Sequence, residues 1–205
     1  MLKKRFLLFL CFALIAFACG CQMQSTQNSG NTPAAEESTI PHWKTAYWEH
    51  LEEQKDGHLS YALIHIDDDD IPELYLSGIS EAMGDSVCSY KNGNMIEQPL
   101  NRIGGGRYIE KSGEIINQNG NFGRIYTNVY KLTEDGFSLT FHALSTESNT
   151  AYEYSVEDKP VSEDEYNAVV DAAFDFALSV PLNENAVEYD VVTQLILDWE
   201  SNYGE

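Results

Sequence analysis

The sequence predicts an α+β fold: an N-terminal helix, then an antiparallel β-meander, then two C-terminal helices. Three observations carry this. Trp43, Tyr47 and Leu51 recur at helical spacing near the start. Several short apolar-polar alternations broken by Asn92-Gly93, Ser112-Gly113, Asn119-Gly120 and Asp135-Gly136 occupy the middle. Ser162-Glu163-Asp164-Glu165 then opens a second helical pattern. A helix, a run of strands and two helices in that order is an α+β arrangement.

Each element has its own reason. Thr39-Ile40-Pro41 begins the ordered region, because proline is tolerated in the first turn of a helix. Ile40, Trp43, Tyr47 and Leu51 form the apolar stripe, and Gly57 ends the helix. Residues 59–66 and 73–77 read as strands on either side of an acidic turn. Further on, Phe137, Leu139, Phe141 and Ala143 alternate with Ser138, Thr140 and His142, so the four apolar residues are expected on one face. Phe122, Arg124, Tyr126, Asn128 and Tyr130 share a face by the same spacing. Ser162 caps the next helix, whose stripe is Tyr166, Val169, Val170, Ala173 and Ala177 before Pro181. The last helix runs from about Val187 to Ser201 and carries Val192, Leu195, Ile196 and Trp199.

The N-terminus addresses the protein. Lys3, Lys4 and Arg5 precede an apolar run from Phe6 to Phe17, and Ala18-Cys19-Gly20-Cys21 follows. A basic segment, a short apolar core and a small-residue zone make a secretory signal. The run is shorter than the roughly 20 apolar residues a membrane span requires. A cysteine directly after a small residue resembles the lipobox of bacterial lipoproteins, whose cysteine is acylated and becomes the mature N-terminus. That resemblance implies lipidation at Cys21, with Cys19 the alternative, and attachment to a bacterial membrane through the lipid. Residues 1–20 are then signal peptide, 21–38 a tether of Gln, Ser, Asn, Thr and Pro too polar to bury a core, and 39–205 a single domain.

Charge narrows the partners. The 205-residue chain carries a net −21, which becomes −24 once Lys3, Lys4 and Arg5 leave with the signal. Such a surface repels nucleic acid and anionic headgroups, and neither is expected as a partner. Of the four cysteines, Cys11 leaves with the signal and Cys19 or Cys21 takes the lipid, so Cys88 has no disulfide partner and reads as a small buried side chain.

The one motif-like stretch is His65-Ile66-Asp67-Asp68-Asp69-Asp70-Ile71-Pro72-Glu73-Leu74. It resembles the Asp-x-Asp-Gly-Asp-Gly-x-Pro-Glu-Leu turn of many secreted bacterial proteins and lipoproteins, itself similar to EF-hand, dockerin and FG-GAP calcium loops. The resemblance implies Ca²⁺ held by Asp67, Asp69, Glu73 and the Ile71 carbonyl, with Asp68 and Asp70 as possible further ligands. Ca²⁺ takes six to eight oxygen ligands, and alternate carboxylates on a tight turn converge. The departures are plain: His65 replaces the first aspartate, and Asp68 and Asp70 replace both glycines. Two other readings compete: a solvated hairpin turn with no specific ion, which is the plainer one, and a catalytic carboxylate pair, for which no cleft is visible.

Other signals are set aside. The five histidines lack zinc-ligand spacing, and although His50 with Glu52 or Glu53 could place two ligands on one helix face, a solvated face is the plainer reading. Gly104-Gly105-Gly106 reads as a loop or bulge, not a phosphate cradle. Trp43 and Trp199 read as core, Tyr152 and Tyr154 as ordinary sheet packing, and Trp48 stays open as a sugar platform. No catalytic residue is assigned. The expected function is a monomeric, lipid-anchored, non-enzymatic binding or structural protein of the cell envelope. The alternatives are an enzyme or accessory module acting on envelope glycan or peptide, and an acidic interaction or inhibitor module that docks a basic partner.

Overall fold

The computed structural model describes residues 40–100, 105–148 and 151–199. The signal sequence, the candidate lipidation residues Cys19 and Cys21, and the tether lie outside the described residues, as do Gly104 and Ser201. All described residues fall in one compact unit.

Helix α1 (His42–Gln54) closes with a single 3₁₀ turn at Lys55–Gly57. It buries Trp43, Tyr47 and Leu51 as expected, together with His50, while Ile40 precedes the helix and is exposed. Strands β1 (His58–Ile64), β2 (Glu73–Gly78), β3 (Asp85–Lys91) and β4 (Asn94–Leu100) follow as one antiparallel sheet in sequential order. Strands β5 (Gly106–Ile109), β6 (Glu114–Asn121), β7 (Arg124–Thr133), β8 (Gly136–Glu147), β9 (Tyr152–Val156) and β10 (Lys159–Val161) form a second, also sequential and antiparallel. Helix α2 (Glu163–Ala173), the two-residue strand β11 (Val180–Pro181) and helix α3 (Tyr189–Asp198) complete the chain.

The α+β character is present, mostly β, and the expected element order needs correction. The meander is two sheets, not one, and the C-terminal helices are not consecutive. Between them β11 returns to the second sheet and pairs with β5 as its seventh strand. Pro181 is accommodated there because an edge strand leaves one side of its backbone without a ladder partner.

Alternation sorts the side chains into layers. Tyr61, Leu74, Leu76 and Cys88 of the four-stranded sheet join Trp43, Tyr47 and Leu51 of α1 and Val192 and Ile196 of α3. The Lys44 ammonium ties these helices by donating to the carbonyls of Leu197 (2.9 Å) and Trp199 (2.6 Å), orphan acceptors at the end of α3. Ala62, Ile64, Tyr75 and Val87 point the other way and meet Tyr108, Ile115 and Leu132 of the seven-stranded sheet. The far face of that sheet packs Ile116 and Val129 against Phe174, and Ala143 against Tyr166 and Val170 of α2. The order is helices, four-stranded sheet, seven-stranded sheet, helix.

Three local expectations are overturned. First, Phe137, Leu139, Phe141 and Ala143 do not share a face. The β7–β8 register steps from Val129↔Phe141 to Tyr130↔Leu139, which leaves Thr140 as an extra residue. A bulge of one residue reverses the alternation. Phe137 therefore packs between the sheets, whereas Phe141 and Ala143 face α2 and Leu139 is exposed. Second, Asn119-Gly120 lies inside β6, and the turn falls at Phe122-Gly123, both with positive φ (50° and 74°). Gly120 is required for space instead, since a Cβ there would lie 2.7 Å from the Arg124 carbonyl oxygen. Third, α2 ends at Ala173, so Ala177 is off the helix and exposed, and Leu195 of α3 is also exposed. The Ser162 cap is present, its hydroxyl accepting from the Glu165 N–H at 3.2 Å.

Candidate functional site

Two arrangements warrant a chemical reading, and the acidic turn is the first. It connects β1 to β2, and its backbone is held by its own side chains. Asp67 Oδ1 accepts from the Asp69 N–H (3.3 Å) and Asp69 Oδ1 from the Ile71 N–H (2.8 Å). These bonds give the turn its shape without glycine. No residue between 67 and 71 has positive φ, so Asp68 and Asp70 are not forced into the backbone that glycine serves in the resembling loops.

Asp67, Asp69 and Glu73 do converge, each offering an oxygen within 4.8 Å of the others. Asp68 and Asp70 do not join them; both are exposed. What sequence reasoning missed is Lys91, at the end of β3. Its side chain is 2% exposed, and its ammonium donates to Asp67 Oδ2 at 2.5 Å and to Asp69 Oδ2. Burial alone would lower the Lys91 pKa, but the hydrogen bonds and charges of both aspartates outweigh it and leave the group raised, hence charged. Glu73 sits deeper, accepting from the Ile66 N–H (2.8 Å) and the Ser89 hydroxyl (3.1 Å). Burial and the nearby Asp67 charge push its carboxyl up to about 8. His65 lies apart from the cluster, its ring 5.4 Å from that of Trp199.

This donor set does not fit Ca²⁺ while Lys91 stays in place. Ca²⁺ needs six to eight oxygens, whereas the cluster brings three carboxyl groups, two already holding an ammonium. The lysine supplies the positive charge that the resembling loops take from a metal.

The second arrangement lies on the face of the seven-stranded sheet turned away from α2. Beyond the part covered by the four-stranded sheet, alternate residues and register partners form a polar, aromatic field. Asn117, Asn119 and Asn121 of β6 pair with Asn128, Tyr126 and Arg124 of β7, and Asn128 pairs with His142 of β8. A row is organised across it. The Arg124 guanidinium lies 5.4 Å from the Tyr126 ring, which stacks on His142 at 6.0 Å and 29°. His142 Nδ1 is 2.7 Å from Asn128 Oδ1, so its N–H donates there, and Asn128 Nδ2 donates to the Tyr130 hydroxyl at 3.4 Å. The opposite side chains of the same strands, Thr127, Val129 and Ala143, are buried beneath. The spacing of Arg124, Tyr126 and Asn128 was visible in the sequence; His142 and the asparagines of β6 come from pairing register alone.

Two clefts complete the surface. One, of about 260 Å³, opens at the seam of the sheets beside Tyr75, Asp85, Arg107 and Asn183; the other, about 320 Å³, lies under the Phe122-Gly123 tip. Trp48 is 46% exposed on α1, and Tyr152 and Tyr154 stack at 6.3 Å on the α2 side of the second sheet. Among the described residues no helix is long and apolar enough to cross a membrane.

The chain matches no protein-family model, no curated protein and no solved structure.

Proposed function

We propose that this chain is a lipid-anchored, extracytoplasmic binding protein of the bacterial envelope that acts without catalysis. Its ligand surface is the open face of the seven-stranded sheet, and its ligand class is an uncharged glycan. The acidic turn is a structural clasp, closed by Lys91 and independent of Ca²⁺. The reading rests on the row Arg124, Tyr126, His142 and Asn128.

Sugars offer flat C–H faces and paired hydroxyls. An aromatic ring answers the first, and planar amide, imidazole and guanidinium groups answer the second with fixed donors and acceptors. Holding these groups in place before a ligand arrives lowers the ordering cost of binding. The net charge, −21 for the full chain and −24 without Lys3, Lys4 and Arg5, disfavours anionic ligands and leaves a neutral polymer as a compatible one. Export and anchoring by Cys21, or Cys19, place such a surface beside envelope polysaccharide.

Sedimentation of the full chain with isolated cell-wall polysaccharide, against Y126A and H142A, tests the ligand surface. Loss of co-sedimentation in both variants supports it; products released from the polysaccharide would point to the enzymatic alternative instead. Incorporation of labelled palmitate, abolished in the C19S/C21S double variant, tests the anchor.

A further inference from the structure

We infer that His50, Cys88 and Glu97 form a site for a transition-metal ion of the Zn²⁺ class, distinct from the acidic turn and from the polar sheet face. The three residues come from three elements. His50 is on the buried side of α1, Cys88 lies in β3 beneath it, and Glu97 is the register partner of Cys88 on β4. One ligand atom from each lies within 4.8 Å of the other two.

The geometry is close to what a tetrahedral ion needs. Zn–N of about 2.1 Å and Zn–S of about 2.3 Å, opened to the tetrahedral angle, separate the two ligand atoms by about 3.6 Å. His50 Nε2 and Cys88 Sγ are 3.5 Å apart. The donor set is one imidazole, one thiol and one carboxylate, the mixture that selects Zn²⁺ and its neighbours over Ca²⁺ or Mg²⁺. The mouth faces solvent. Glu97 is exposed, and Glu53, one helical turn from His50, lies near enough to act on its charge, so the fourth position is open to water. Among the described residues no lysine is ion-paired with this cluster.

Burial acts on the two buried ligands in opposite senses. Desolvation lowers the His50 pKa, which keeps its ring neutral with a lone pair available; it raises that of the Cys88 thiol, which is held as S–H and must give up its proton to bind. On binding, the ion takes the place of the thiol proton, which leaves to solvent, so uptake releases one proton per site and weakens as pH falls. Ser86, two residues from Cys88 on the same strand face, has a buried hydroxyl with no hydrogen-bond partner among the described residues.

The test uses Co²⁺ as a spectroscopic stand-in and Zn²⁺ itself, on the full chain. The expected result is a thiolate-to-cobalt charge-transfer band in the near ultraviolet, lost in C88A, together with a rise in melting temperature on adding Zn²⁺. E97Q changes an exposed residue and keeps the fold, which circular dichroism checks. It should weaken Zn²⁺ binding by at least the roughly tenfold that loss of a supporting partner costs. No band in the native chain, a band that persists in C88A through Cys11, Cys19 or Cys21, or an unchanged Zn²⁺ affinity in E97Q would each overturn the assignment.

Discussion

In the four-stranded sheet both faces are covered, by α1 and α3 on one side and by the second sheet on the other; every residue of β2 is buried. The seven-stranded sheet has one face under α2 and Phe174, and the other face only partly covered, with Tyr126, Asn128 and His142 left half-buried. Both sheets are antiparallel and built from sequential strands, apart from β11, which returns beside β5 in the second. Their difference lies in what each face meets. A sheet covered twice is spent on stability, whereas a sheet covered one and a half times keeps a rigid, polar remainder for recognition.

Lys91→Met removes the cation from the clasp at the end of β3, an interior strand of the fully covered sheet. Breaking a fully buried pair costs about 3–5 kcal/mol; with the Asp69 side chain 35% exposed, the expected loss is nearer 2–3 kcal/mol. Urea denaturation measures it. Roughly 10 mM Ca²⁺, above the affinity of ordinary extracellular sites, should recover part of the loss in the variant and leave the native chain unchanged.

Glu73 makes the same region sensitive to pH. Its folded pKa of about 8 exceeds the ordinary 4.5 of the unfolded chain. Between those values the native state holds a proton that the unfolded state has released. Stability contributed by this group is therefore complete below about pH 4.5 and falls as pH rises towards 8, by up to about 1.4 kcal/mol per pH unit. Glu73→Gln should flatten that part of the curve, measured as denaturation midpoint against pH.

At the other sheet the effects on stability are small. Phe122 sits at positive φ on the hairpin tip and is 97% exposed, so it contributes little packing there. Phe122→Asn suits the turn better and should stabilise by about 0.5–1 kcal/mol, read from the melting temperature. Tyr126→Ala, on the open face, should change stability by less than about 0.5–1 kcal/mol. A large loss there would mean that the row holds the fold together and is not held ready for a ligand.

How far these features were legible follows from the range of the signals. The α1 stripe, the Asn92-Gly93 hairpin and the Ser162 cap are written within a few residues and were readable as such. The convergence of Asp67, Asp69 and Glu73 was readable too, because their spacing is local. Lys91 was not: its place in the cluster depends on β2 and β3 pairing, 24 residues beyond Asp67. Pairing likewise brings His142 to Asn128 and Glu97 to Cys88. The division into two sheets was hidden because alternation looks alike in either, and the Thr140 bulge because one extra residue leaves no mark in composition. Phe122-Gly123 escaped notice since phenylalanine is a poor candidate for positive φ, while the better signal, Asn119-Gly120, lay three residues away.

The most direct measurement is the affinity of the full chain for isolated cell-wall polysaccharide, compared across native protein, the Y126A/H142A double variant and W48A. A binding sheet face requires the double variant to lose at least tenfold in affinity with its melting temperature held, and W48A to bind as the native chain does. Equal affinity in the native chain and the double variant, or a loss confined to W48A, would contradict it.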